Sequence, residues 1–229
     1  MRYVRNSSLS LFFLALFLGA LVGQALVGHE LYNDEEVQHA RLLHEEPETI
    51  SLGRYVVSSD FGNSVMENWQ SEYLQFALFV LATVWLLQRG STESKELEQA
   101  GGESDEDQRL GEHPDARSPV WARAGGLRTW VYSNSLLLVM GLIFVCSWLA
   151  QSVTGWSEFN ANQIEHETAT VSWIGYVGSA RFWEATLQNW QSEFLAVGSM
   201  AVLSIFLRQR GSAQSKPVGA SHEETSTEG

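Results

Sequence analysis

The sequence predicts an all-α membrane protein, with four transmembrane helices arranged as two parallel-repeat helical hairpins. Three observations carry that expectation. Apolar residues, 45% of the 229, fall in four dense blocks, and the charges lie between them. Two of those blocks have the length of a bilayer span. The second half of the chain also repeats the first, a feature to be sought before any other.

The first block runs from Leu9 to Val27 and the third from Leu136 to Val153, and neither contains a charge. At about 1.5 Å per residue, each covers most of a hydrocarbon core roughly 30 Å thick. The second block, Tyr73 to Leu87, and the fourth, Phe194 to Leu207, are shorter. Those reach only about 22 Å, so each must borrow a turn from the polar segment before it. Spans are expected at about 9–27, 68–88, 136–153 and 189–207. Arg2 and Arg5 ahead of an apolar stretch also suit a signal peptide. The block's length, and its repeat partner deep in the chain, favour a retained span.

The repeat is read directly. Asn68-Trp69-Gln70-Ser71-Glu72-Tyr73-Leu74 recurs as Asn189-Trp190-Gln191-Ser192-Glu193-Phe194-Leu195, and Gln88-Arg89-Gly90-Ser91 recurs as Gln209-Arg210-Gly211-Ser212. Ser94-Lys95 recurs as Ser215-Lys216. Aligned without gaps, residues 50–95 and 171–216 share 18 identities in 46 positions at an offset of 121. Earlier in the chain the offset is 127, pairing Gln24 with Gln151, Gly28 with Gly155, Asn33 with Asn160 and His39 with His166. The difference between the two offsets falls between about Ala40 and Thr49, where an exposed loop tolerates insertion. Each copy then reads as an apolar helix, an acidic outer loop, and a second helix starting near Ser58 or Ser179, either of which suits an N-cap.

Charge sets the expected orientation. Eleven basic residues lie on one side: Arg2, Arg5, Arg89, Lys95, Arg109, Arg117, Arg123, Arg128, Arg208, Arg210 and Lys216. Only Arg41, Arg54 and Arg181 lie on the other. Both termini and the central segment are therefore expected to be cytoplasmic, with the two hairpins inserted in the same sense. The chain divides into a first hairpin at 1–91, a disordered acidic linker at 92–119, a second hairpin at 120–211 and a disordered tail at 212–229. Linker and tail are too poor in aliphatic residues to form a core. Trp121, Arg123, Arg128 and Trp130 suit an interfacial belt leading into the third span.

The repeated Asn-Trp-Gln-Ser-Glu-aromatic-Leu element and the Gln-Arg-Gly-Ser-x-x-Ser-Lys exit resemble those of an uncharacterised family of bacterial four-span membrane proteins, known only as a domain of unknown function. The resemblance covers nearly the whole chain apart from linker and tail. It implies a bacterial cytoplasmic membrane and brings no activity with it.

Candidate sites follow from depth. Glu72 lies about four turns from Leu87 at the inner edge of its helix, and Gln24 lies about four turns from Leu9 on its own. An antiparallel hairpin therefore places both near the outer hydrocarbon edge. Gln151 and Glu193 repeat the arrangement, with Asn68 and Asn189 one turn away. This polar layer suits interhelical hydrogen bonding, typically about 0.6 kcal/mol per bond, and alternatively a proton or cation site. Nine Leu, Phe and Val residues between 73 and 87 supply about −3 to −5 kcal/mol for insertion, enough to carry Glu72. Gly19 and Gly23, matched by Cys146 and Ala150, form small-x-x-x-small patterns for close helix approach.

Other chemistry finds little footing. A net charge of −13 argues against nucleic acid as a partner. The single cysteine excludes an intrachain disulfide framework, and an apolar setting leaves Cys146 a weak nucleophile. His29, His39, His44 and His166 sit among acids, yet no pair has the spacing of a zinc motif, and no nucleophile elbow, phosphate loop or dinucleotide fingerprint occurs. No catalytic residue, cofactor or metal is expected. The expected partners are the lipid bilayer and a second copy or another membrane protein. The expected role is a membrane scaffold or interaction protein, with a small proton- or cation-coupled transporter or channel subunit using Glu72 and Glu193 as the alternative.

Overall fold

The structure, a computed structural model, describes residues 6–225. Arg2 and Arg5, counted in the charge asymmetry, and residues 226–229 of the expected tail lie outside the described residues. The described chain is helical and contains no strand. Its seven α-helices are α1 (Ser8–Leu43), α2 (Leu52–Tyr55), α3 (Ser59–Trp85), α4 (Gly126–Ser133), α5 (Ser135–Glu165), α6 (Trp173–Val177) and α7 (Ala180–Phe206).

Two of these, α1 and α5, are long and apolar enough to cross a membrane. None of the apolar window of α1 is buried within the chain, and its large side chains, Phe12, Phe13 and Leu16 among them, are exposed. In water such a surface would be untenable; in lipid it is the ordinary state of a span. Helices α3 and α7 contain 27 residues each, about 40 Å of helix at 1.5 Å per residue. Each runs unbroken through the polar segment before its short apolar block.

The stretch expected as an acidic outer loop is helical for most of its length. Past Val27, α1 continues to Leu43, and past Val153, α5 continues to Glu165. The cause is local: residues 29–43 hold no Gly or Pro and are rich in Glu, Leu, Gln, Ala and Arg, all good helix formers. Both helices stop alike. His44 and Glu167 take left-handed backbone conformations (φ 64° and 53°). Beyond them the Glu45 amide donates to the Ala40 carbonyl at 2.9 Å and the Thr168 amide to Gln163 at 2.8 Å. This six-to-one bond is the Schellman stop signal.

The starts of α3 and α7 also match. Ser58 Oγ accepts from the Phe61 amide at 3.2 Å, and Ser179 Oγ accepts from the Phe182 amide at 3.4 Å. Both serines act as the N-caps their positions suggest. Between residues 92 and 119 the only regular element is a single 3-10 turn, Leu97–Gln99.

The chain forms two compact units. The first comprises Met1–Val65 and Ala150–Trp173; the second comprises Met66–Leu149 and Ile174–Gly229. In the first, Tyr55 is buried against His29, Tyr32 and Phe61 at ring separations of 5.5–6.0 Å. Gly28 faces that ring so closely that any side chain there would collide with the phenol. In the second, Trp148 of α5 gathers Phe144, Phe182, Trp183 and Trp190, with ring centroids 5.8–6.1 Å away. Phe182, Trp183 and Trp190 fall at i, i+1 and i+8 along α7, on the one helical face that meets Trp148.

Candidate functional site

The first unit contains two returns of the chain onto a helix, each held by an asparagine. Asn33 Nδ2 donates to the Ile50 carbonyl at 3.0 Å, and its Oδ1 accepts the Ile50 amide at 2.8 Å. Asn160 does the same for Val171, at 2.9 Å in both directions. A carboxamide is the side chain that satisfies an amide and a carbonyl of one extended residue at once. A second group joins each carbonyl. His29 Nε2 lies 2.6 Å from Ile50 O, and Trp156 Nε1 donates to Val171 O at 2.8 Å.

Beside the first return is an acidic cleft of about 370 Å³. Tyr32, Glu35, Glu36 and His39 of α1 line one wall; Glu158 and Glu165 of α5 line another; Asp60 at the start of α3 closes it. His39 Nε2 lies 3.1 Å from Glu165 Oε1, an ion-pair distance when the imidazole is protonated. The His39 and His166 rings are 6.0 Å apart. Burial, reinforced by the Glu165 charge, pushes the Glu36 carboxyl above its ordinary range. Burial and the neighbouring Asp60 carboxylate push the Tyr55 hydroxyl up to about 12. Among the described residues no group of three or more His, Cys, Asp or Glu is placed to hold a metal ion. The cleft collects negative charge without converging it on one point.

The residues of the expected polar layer are placed as follows. Gln24 donates from Nε2 to Ser64 Oγ at 2.8 Å, about two turns before Glu72 on α3. Gln151 is 1% exposed, and its Oε1 has no hydrogen-bond partner in the described structure. Glu72 is exposed and Glu193 half-buried, both in the second unit. Asn68 is exposed, and Asn189 donates to the Ala185 carbonyl of its own helix at 2.9 Å. Gly19 and Gly23 face open space; Cys146 is an exposed free thiol, and Ala150 is half-buried.

Two residues inside the repeated motifs do more than the sequence suggests. Gln70 is fully buried, and its Oε1 accepts the Trp190 indole at 2.7 Å. Its counterpart Gln191 is exposed. The signal was present, because both residues belong to the repeated heptapeptide, but which of two identical glutamines turns inward is a tertiary choice. The second is Lys216. The residue is buried, 1% exposed, and its three ammonium protons are shared among the carbonyls of Gly90 (2.7 Å), Ser221 (3.1 Å), His222 (3.2 Å) and Glu224 (3.0 Å).

The exit turns around the two lysines share their backbone chemistry. The Gln88 amide donates to Ser94 Oγ at 2.9 Å, and the Gln209 amide to Ser215 Oγ at 2.8 Å. Ser94 Oγ in turn donates to Lys95 O at 3.0 Å, and Ser215 Oγ to Lys216 O at 3.1 Å. Gly90 and Gly211 supply the positive φ, 84° and 79°, that lets each turn close. The second half then adds a strap. Residues 216–225 fold back so that Thr225 Oγ1 accepts the Gly90 amide at 2.9 Å and Arg89 pairs with Glu223 at 2.9 Å. Gly90 admits no side chain, since a Cβ would strike the His222 carbonyl.

An all-α chain with two helices long and apolar enough to cross a membrane has the character of a membrane-associated protein. It belongs to the family described as a domain of unknown function (DUF6766), which matches residues 1–227. No curated protein and no solved structure matches the chain.

Proposed function

We propose that the protein is a four-span protein of the bacterial cytoplasmic membrane, formed by duplication of one hairpin, that serves as a membrane scaffold or interaction protein. In this reading α3 and α7 join α1 and α5 as spans, and both termini and the linker at 92–119 face the cytoplasm. The observation that carries it is the Trp190–Gln70 hydrogen bond. Gln70, fully buried, is a neutral carboxamide paired with an indole, while Glu72 on the same helix is exposed and Glu193 is half-buried. Buried carboxamides join helices in lipid; ion pathways instead expose ionisable groups to a water-filled interior, usually near the midplane. Partners would be the bilayer and, across the open face at Gly19 and Gly23, a second copy or another membrane protein. Nothing in the charge balance favours nucleic acid, and no enzymatic role is proposed.

The transporter reading draws support from one observation, an ionisable glutamate at the same place in both heptapeptides, Glu72 and Glu193. Reconstituted vesicles separate the two. A scaffold gives no pH-dependent proton or cation flux. Flux in wild type that disappears in Glu72→Gln/Glu193→Gln would replace the scaffold with a transporter.

A further inference from the structure

The outer ends of α1 and α5 meet through titratable side chains, which is unusual where a hydrophobic contact would serve. His39 and His166 occupy equivalent positions in the two halves of the duplicated chain, and their rings pack against each other. Only one of them has a carboxylate partner in the cleft. Glu165 faces His39 at 3.1 Å, whereas the residue equivalent to Glu165 in the first half is Gln38. His166 instead uses Nδ1 on the Asn162 carbonyl of its own helix, at 2.8 Å. The contact is therefore one-sided: of the two histidines, His39 is the one that faces a carboxylate.

We propose that this cleft is a proton-operated clasp, in which a proton on His39 draws the outer end of α1 to α5 and its loss lets the ends separate. The charges facing His39 set the direction. From α1 come Glu35 and Glu36; from α5 come Glu158, Glu165 and His166; Asp60 closes the cleft from α3. Glu48, on the loop after α1, adds to the negative field at Glu36. Arg54 of α2 opposes that field at Tyr32, on the same wall. With the imidazole neutral, the five cleft carboxylates repel one another and the His39–Glu165 ion pair is lost. Histidine changes charge between about pH 5 and 8, so acidification places a cation among them, opposite Glu165. His166 works against closure when protonated, because two imidazolium rings then face each other.

Glu36 acts in the same sense as His39. Its carboxyl is shifted up, so the folded state holds a proton there at a pH where the unfolded chain does not. Its contribution to the stability of this folded arrangement is therefore present at low pH and is lost as pH rises through the raised value.

The test uses the full chain in lipid nanodiscs, with Cys146→Ser and spin labels on cysteines placed at Leu42 and Glu167, both exposed. Pulsed electron resonance should report a short, narrow separation at about pH 5.5 and a longer, broader one at about pH 8, the two sides of the histidine range. His39→Gln should show the alkaline distribution at both values, and so should Glu165→Gln, which decides the matter if the first variant does not fold. His166→Gln should keep the response. A separation independent of pH in the labelled parent, or a response that survives in Glu165→Gln, overturns the clasp.

Discussion

In the first half of the chain the Ile50 carbonyl is held by Asn33 and approached by His29; in the second half the Val171 carbonyl is held by Asn160 and by the indole of Trp156. The asparagine is the same in both returns and the second group differs. An indole N–H only donates, whereas an imidazole nitrogen donates in one tautomer and accepts in the other. The comparison separates what the backbone requires from what it permits. A sheltered amide and carbonyl must be satisfied, and Asn does that in both halves; the neighbour is then free to differ. The exit turns teach the same lesson. Both are closed by Gly and Ser in one pattern, but Lys95 reaches Gly101 O and the Glu103 carboxylate, while Lys216 is enclosed by four carbonyls.

The largest difference should appear at those lysines. Lys216→Met leaves four carbonyls without their donor and should cost about 3 kcal/mol of strap stability, the upper range for charge-assisted bonds. Cleavage by a nonspecific protease between residues 217 and 225 should accelerate strongly. Lys95→Met removes a half-exposed ion pair and should cost under about 1 kcal/mol. Equal protease sensitivity in the two variants would mean that the carbonyl cage does not hold the strap.

The returns should break with a smaller and more even effect. Asn33→Ala and Asn160→Ala each strand one backbone amide, for about 1–3 kcal/mol apiece, read as faster hydrogen exchange at Ile50 or Val171. Replacing the second group sharpens the contrast. His29→Phe, which leaves both asparagine bonds in place, should speed exchange at Ile50 less than Asn33→Ala does, and Trp156→Phe should stand in the same relation to Asn160→Ala at Val171.

The smallest effect belongs to the glutamines of the heptapeptide. Gln70→Leu removes the acceptor of Trp190 and should lower stability in detergent by about 1 kcal/mol. Gln191→Leu, on an exposed position, should be close to neutral. Equal losses would mean that both glutamines serve the same role and that the two halves are more alike than the fold indicates.

Much of this was legible in the sequence, though unevenly. Helical content, the serine caps of α3 and α7, and the exit turns follow from local residues and short-range chemistry. The helical extensions past Val27 and Val153 were equally local, yet their acidity disguised them as loops; the absence of Gly and Pro before His44 was the better guide. The polar layer was harder. Depth along a helix is countable, which brought Gln24 and Glu72 together on paper, but the direction of a side chain around the axis is set by packing. Gln24 bonds Ser64, and within the heptapeptide it is Gln70, not the neighbouring glutamate, that is buried. The clasp at His39 depends on two helix ends far apart in sequence, which no local pattern records.

The central claim is that four helices cross the membrane in two hairpins of the same orientation, and reporter fusions test it most directly. Activity reporters that work only in the cytoplasm, or only outside it, are joined after Glu46, Gly102, Thr168 and Gly229. Four spans place Gly102 and Gly229 in the cytoplasm, and Glu46 and Thr168 outside. If only the two most apolar helices, α1 and α5, crossed, Gly102 would report from the same side as Glu46, and the two-hairpin account would be wrong.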